Sequence, residues 1–236
     1  MIELIEITKV FNAGKVNEFK ALKGISAAIE DNKITVLKGP SGSGKSTLLS
    51  IVGCMSRPTS GRIKLYDREI TSLPERFLAQ IRRKTFGFIF QHFNLIKGIS
   101  VIENVMIPAY PTGERHTELK DRAMELLTRF RISSKANQHV EFLSGGEKQR
   151  TAIARALINE PSIVIADEPT AHLDTALSLE LLNILENLKK KWNKTIIITT
   201  HDPLVFETNI AERVLELRDG EIVHEETVQF SQLNHS

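Results

Sequence analysis

The sequence predicts an α/β fold: a core with a mainly parallel sheet built around a phosphate-binding loop, an antiparallel β lobe beside it, and an inserted helical lobe. Three observations lead there. Gly39-Pro40-Ser41-Gly42-Ser43-Gly44-Lys45-Ser46-Thr47 is a glycine-rich turn between an apolar strand at 34–37 and a helix at 45–52. Two continuous β-branched runs, 163–166 and 195–199, flank a segment in which Leu177, Leu181, Leu185 and Leu188 keep helical spacing. Strand, helix, strand with both strands apolar throughout is the pattern of a parallel sheet covered on both faces. From about 74 to 142 the character changes to helical stretches with charged faces, which forms the inserted lobe.

Taken in order, residues 2–10 and 25–30 read as strands, with the polar, glycine-containing segment 12–20 as the loop between them. Glu30-Asp31-Asn32-Lys33 is a turn into the strand that ends at the phosphate loop. Arg57-Pro58-Thr59-Ser60-Gly61 is a strong breaker, and 62–66 alternates as a strand. Helices are expected at 74–84, 101–109 and 118–130, with a short apolar strand at 86–90 ending at Gln91, where the core hands over to the lobe. Gly145 and Gly146 open a helix that runs to about Asn159 and is stopped by Pro161. Arg218-Asp219-Gly220-Glu221 joins 214–217 to 222–224 as a hairpin, and 231–236 reads as a frayed polar end. The expected division is one nucleotide-binding domain over 1–236, with core and β lobe at about 1–90 and 160–228 and helical lobe at about 91–159.

Composition bounds the function classes. With 41% hydrophobic residues, 25% charged residues and a net charge of +2, the chain reads as a globule without the excess basicity of a nucleic-acid binder, and no nucleic acid is expected. Its one cysteine, Cys54, rules out an intrachain disulfide and lies in an apolar stretch, so it reads as core in a reducing compartment. No basic leader precedes an apolar run and no stretch of about 18 apolar residues appears, so membrane contact is expected to come through a partner.

The chemistry starts from the shape of a triphosphate. Its β- and γ-phosphates need a concave ring of backbone donors at close range, and only glycine lets N–H groups converge without intervening Cβ atoms. Gly39, Gly42 and Gly44 supply that turn around Ser41, and the dipole of the helix that follows adds to the anion site. Lys45 would reach the β- and γ-phosphates, Ser46 would ligate Mg²⁺, and Thr47 completes the motif of a P-loop NTPase core. Such a loop needs an acid at a neighbouring strand's carboxyl end. Ile163-Val164-Ile165-Ala166-Asp167-Glu168 supplies Asp167 for the metal shell and Glu168 to take a proton from the attacking water, a role worth about 10²–10⁴-fold in rate.

A second stretch, Leu143-Ser144-Gly145-Gly146-Glu147, reads two ways: as a capped turn, or as another helix-end anion site with bared backbone and a hydroxyl. One chain has little use for two such sites around one triphosphate. The second makes sense when it is offered to another subunit's nucleotide.

The ordered set resembles the ATP-binding cassette ATPases over nearly the whole chain. The matching residues are Gly39 to Thr47 as Walker A, Gln91 as the Q-loop, LSGGE at 143–147 as the signature, IVIADEP at 163–169 as Walker B, Ala171-His172-Leu173-Asp174 as the D-loop, and His201 as the switch histidine. The loop at 12–20 and the run at 90–96 resemble the lipoprotein-releasing and macrolide-exporter subfamily. The resemblance implies that ATP and Mg²⁺ are bound, that Gln91 senses Mg²⁺ and the nucleophilic water, that His201 contacts the γ-phosphate, and that Asp174 orders the neighbouring subunit's site. It also implies a homodimer with composite ATP sites, completed by Ser144, Gly145, Gly146 and Glu147. That dimer would be bound to an integral membrane permease, in the cytoplasm on the inner face of the cell membrane. Phe11 stands where the family often stacks an aromatic ring on adenine; the other reading is a core phenylalanine. The permease dock is implied around 91–100, where Phe93, Leu95 and Ile99 are either partner-facing or lobe core. Two departures stand out: bulky His172 in the D-loop, and Glu147, whose carboxylate replaces the commoner glutamine close to a bound triphosphate.

Two rivals share the cassette. A signalling or mechanotransmission module would use the same ATP-driven closure without moving cargo. A soluble repair ATPase of this kind would carry long heptad insertions between Walker A and the signature, and only about 95 residues without sustained heptads separate Thr47 from Leu143. Translation-type members usually hold two cassettes, and this sequence has one.

Overall fold

The computed structural model describes residues 1–171 and 173–228, so His172 and the 231–236 end lie outside the described residues. In chain order the first half contains β1 (Ile2–Phe11), β2 (Phe19–Ile29), β3 (Ile34–Lys38), α1 (Lys45–Val52), β4 (Ser60–Leu65), β5 (Arg68–Glu69), α2 (Glu75–Thr85), β6 (Phe86–Ile89) and α3 (Val101–Met106). The second half contains α4 (His116–Arg129), α5 (Gly145–Leu157), β7 (Ile163–Asp167), α6 (Thr175–Trp192), β8 (Thr195–Thr200), α7 (Leu204–Glu207), β9 (Arg213–Arg218) and β10 (Glu221–Thr227).

Among the described residues the strands form two sheets, a six-stranded one in the order β10-β9-β3-β8-β7-β6 and a four-stranded one in the order β2-β1-β4-β5. In the larger sheet every pairing from β9 to β6 is parallel, and only the β9–β10 hairpin is antiparallel. The smaller sheet is antiparallel throughout. The predicted α/β class, with its β lobe and helical lobe, is therefore the observed architecture.

The parallel sheet separates two apolar cores, and the two-residue period of its strands decides which side chain enters which. Val164 and Ala166 of β7 and Ile196 and Ile198 of β8 join α3 to α6 on one face. Ile163, Ile165 and Ile197 join α1, α2 and the antiparallel sheet on the other. That is why these strands read as unbroken apolar runs. Cys54 is buried with the second core, and burial pushes its thiol up to about 11, which keeps it protonated.

Several element limits differ from the expectation. The second strand starts at Phe19, not near residue 25, which shortens the preceding loop. The helix expected over 101–109 is α-helical only to Met106 and then tightens into a 3-10 turn over Ile107–Thr112, where Pro108 lacks an N–H and Pro111 lies inside. β5, two residues long, had no sequence signal.

Candidate active site

Strand register brings the chemistry to one edge. β3, β8, β7 and β6 are parallel neighbours, with Lys38 beside Thr200, Thr199 beside Asp167, and Ala166 beside Ile89. The residues that follow their carboxyl ends, Gly39, His201, Glu168 and Gln91, therefore emerge side by side, where ligands bind in open α/β sheets.

At the first of these ends the chain turns through the phosphate loop. Gly39 has φ 152°, and a Cβ there would lie 2.1 Å from the Leu217 carbonyl oxygen, so no side chain fits. Gly44, at φ 103°, precedes α1 as its N-cap, and a Cβ would meet the Ala21 carbonyl oxygen at 2.8 Å. No side chain caps α1 and its first turn holds no acid. Its leading N–H groups and dipole are thus left for an exogenous anion.

Around that helix start the polar side chains converge. Lys45 is buried, and its Nζ donates to the Gly39 and Pro40 carbonyl oxygens at 2.8 and 3.0 Å. The same ammonium lies 3.6 Å from Glu168 Oε1. His201 Nδ1 is 2.8 Å from Glu168 Oε2, with the imidazole mostly exposed and the carboxylate mostly covered. Ser46 donates to Asp167 Oδ1 at 2.9 Å, and Thr199 donates to the same oxygen at 2.5 Å. Glu168 takes φ 46°, and its N–H is held by the Thr199 carbonyl and hydroxyl oxygens. A left-handed glutamate fixed by its neighbouring strand is stored strain of the kind found at functional sites.

A cavity of about 340 Å³ is lined by Ser41, Gly42, Gly44, Lys45, Ser46 and Thr47, together with Gln91, Glu168 and His201. Its wall also includes Phe19, which the sequence reading missed. Phe11 does not line the cavity, but β-pairing sets it directly opposite Phe19, and both rings are substantially exposed. The available signal was that pairing, invisible while residues 12–20 read as loop.

The remaining candidates form a second cluster. Ser144 accepts from the Glu147 N–H while Glu147 accepts from the Ser144 N–H at 2.8 Å, a reciprocal capping box at the start of α5. Those hydrogen bonds, the Ser144 N–H first, hold the Glu147 carboxyl below the usual range. Glu147 is thus engaged on its own helix end, in the capped turn that was one of the two sequence readings of this stretch. Gly146 packs closely on α6: a Cβ there would meet Leu177 Cδ2 at 2.8 Å, so the leucine side chain would have to move. Asp174 caps α6 by accepting from the Leu177 N–H, and Gln149 donates to the Leu177 carbonyl oxygen, so the two helix starts are joined.

In the 91–100 segment, Leu95 packs against the helical core, whereas Ile96 is half exposed. Phe93 and Ile99 are half-buried. Among the described residues no helix is long and apolar enough to cross a membrane.

Comparison with known proteins agrees with this geometry. The sequence profile of the family described as "ABC transporter" matches residues 22–171. The chain is 43% identical over 223 residues to a macrolide export ATP-binding/permease protein MacB of Hyphomonas neptunium, covering 94% of this chain and 34% of that protein. It is 44% identical over 223 residues to a probable export ATP-binding/permease protein of Pseudomonas fluorescens, with the same coverage. The chain thus spans about a third of the length of these curated relatives. Among solved structures, the dimeric ABC transporter cassette MJ0796 matches with a TM-score of 0.87 and 38% identity, over 97% of this chain and 99% of that one. A dimeric post-hydrolysis state of the same cassette, bound to ADP and Pi, matches with a TM-score of 0.87 and 37% identity over the same shares. A profile over more than half of the chain, relatives above 40% identity and cassettes that superpose end to end lead to one conclusion: the protein belongs to the ABC transporter family, as one of its ATP-binding and ATP-hydrolysing cassettes.

Proposed function

We propose that the cassette hydrolyses ATP at the sheet's carboxyl edge with Glu168 as general base, and that the resulting cycle of dimer closure and reopening drives a membrane permease. The observation that carries this is the Glu168 carboxylate, largely covered and held between Lys45 and His201 beside the phosphate loop. Lys45 exchanges the Gly39 and Pro40 carbonyls for the phosphates. Glu168 accepts the proton of the attacking water, His201 contacts the γ-phosphate, and Gln91 orients the water from the neighbouring strand end.

The Ser46 hydroxyl and the Asp167 carboxylate, 2.9 Å apart, are the hard oxygen donors that suit Mg²⁺, with Gln91 lining the same cavity. When bound, the ion neutralises charge developing on the β- and γ-phosphate oxygens. The Ser144 to Glu147 helix start and Asp174 lie outside the cavity, which fits a role toward a second copy's nucleotide. Phe11, with Phe19 beside it, offers an aromatic surface for adenine. That relatives are named as fused ATP-binding/permease proteins supports a permease partner, which would hold this cassette at the inner face of the cell membrane. One of the two names specifies macrolide export and the other export alone; for this chain an exporter-type partner is the reading.

The test is Glu168→Gln. It should bind ATP with Mg²⁺, hydrolyse it at least about 100-fold more slowly, and elute from a sizing column as a dimer in ATP. Near-normal turnover would remove Glu168 from the base role.

A further inference from the structure

A second cleft, about 630 Å³ and larger than the nucleotide cavity, opens between the end of α4, the middle of α5 and α6 from Glu180 to Trp192. Arg129, Arg131, Arg150 and Lys191 line it against one acid, Glu180. Arg131 and Lys191 are exposed and form no ion pair among the described residues. Arg150 is three-quarters covered. Its Nη1 reaches Glu180 at 3.1 Å, but its Nε is buried without a hydrogen-bond partner. A buried donor without a partner is unfavourable, and it belongs to a guanidinium that lines the cleft. Arg129 lies 4.5 Å from the centre of the Trp192 ring, and Phe130, Ile184 and Leu188 add apolar wall.

We propose that this cleft binds a phosphate ester that carries an apolar portion. Of the four cations, Arg150 is paired with Glu180 and Arg129 with Glu125 at 3.3 Å, which leaves the charges of Arg131 and Lys191 uncompensated among the described residues, and guanidinium forks match phosphate oxygens. The volume is that of a small-molecule site, and the apolar wall gives a hydrocarbon or ring somewhere to rest. Arg150 stands on the helix that starts at Ser144, so the ligand touches the element that carries the signature stretch. The chemistry is shared by anionic phospholipid headgroups and free phosphate esters. Both are therefore tested.

Trp192 is the sole tryptophan of the sequence, which makes its emission and its indole N–H resonance direct reporters of the cleft. The full chain is first saturated with ADP and Mg²⁺ so that the phosphate loop is occupied. It is then titrated with hexyl phosphate, with hexanol as the neutral control, and separately with phosphatidylglycerol or phosphatidylcholine vesicles. The expected result is a saturable change with a phosphate probe and none with hexanol or phosphatidylcholine. Affinity should fall at least about tenfold in the double variant Arg131→Asn and Lys191→Gln, two exposed positions outside the ATP machinery. A response to hexyl phosphate assigns the site to free esters. A response to phosphatidylglycerol vesicles alone assigns it to lipid headgroups. No change in either reporter with any phosphate probe, or equal binding by the double variant, overturns the proposal.

Discussion

Glu168 occupies a backbone conformation, φ 46°, that a side chain other than glycine adopts at a cost of order 1–3 kcal/mol. Two N–H acceptors on Thr199 hold it there, which aims the carboxylate along the phosphate loop. The sequence revealed the identity of this acid through its place after an apolar strand, but not its strain, which arises only when β7 and β8 are in register. The same limit applies to the aromatic residues. Phe11 was legible as a candidate because of its position, whereas Phe19 became one only through its cross-strand pairing. If an aromatic ring stacks on the base, Phe11→Ala should weaken ATP binding by about 1–3 kcal/mol, roughly 5- to 150-fold, and leave inorganic triphosphate binding unchanged. Equal losses for both ligands, read by calorimetry, would make Phe11 a structural residue. Should Phe19→Ala show the selective loss in its place, the stacking ring is Phe19.

At the scale of elements, the two glycine-rich helix starts are built differently. α1 begins without a side-chain cap, whereas α5 begins in a complete capping box between Ser144 and Glu147. α3 repeats that box with Ser100 and Glu103, whose carboxyl is likewise held low, first by the Ser100 hydroxyl. The sequence showed Ser144 and the acid three residues on, and the capped turn was one of its two readings. Because the folded Glu147 carboxyl lies below its unfolded value, its stabilisation is present above the unfolded pKa and is lost as pH falls through the folded one. Glu147→Ala should therefore lower the melting temperature at pH 7, and the gap to the parent should close on acidification below the ordinary carboxylate range. A gap independent of pH would mean that the charge contributes nothing. Strand limits were less legible for a physical reason. β1 and β2 slip register near Ile7 and Val10, and Gly24 takes φ 84°, so the two-residue alternation that marks a strand is broken where β2 begins.

Across the whole molecule, one side chain ties the Gln91 strand end to the helical lobe. Arg155 of α5 donates to the Asn94 carbonyl oxygen at 2.6 Å and to that of Phe93, two successive residues in left-handed conformation. Burial lowers the Arg155 pKa. This contact joins the segment just after Gln91 to α5, the helix whose start is the Ser144 capping box. The proposed permease dock is best tested at the exposed Ile96, since Leu95 packs against the helical core. Ile96→Glu should abolish co-purification with the permease while ATPase activity of the isolated cassette survives. Retained co-purification would move the dock elsewhere.

The order of motifs along the chain made the fold and the phosphate site legible, because each motif sits at a strand end. The separation of the Ser144 to Glu147 cluster from the phosphate cavity needed the folded chain. That separation underlies the central claim, that each ATP is held between the phosphate loop of one copy and the α5 start of another. It is tested most directly by complementation. Lys45→Ala damages the phosphate loop and Ser144→Arg damages the signature end, so each homodimer carries two defective sites and a mixed dimer carries one intact site. With Glu168→Gln also present in both proteins to hold the closed state, mixing them should restore ATP-dependent dimerisation that neither shows alone. A mixture that stays monomeric in ATP, under conditions where the Glu168→Gln parent dimerises, would contradict the claim.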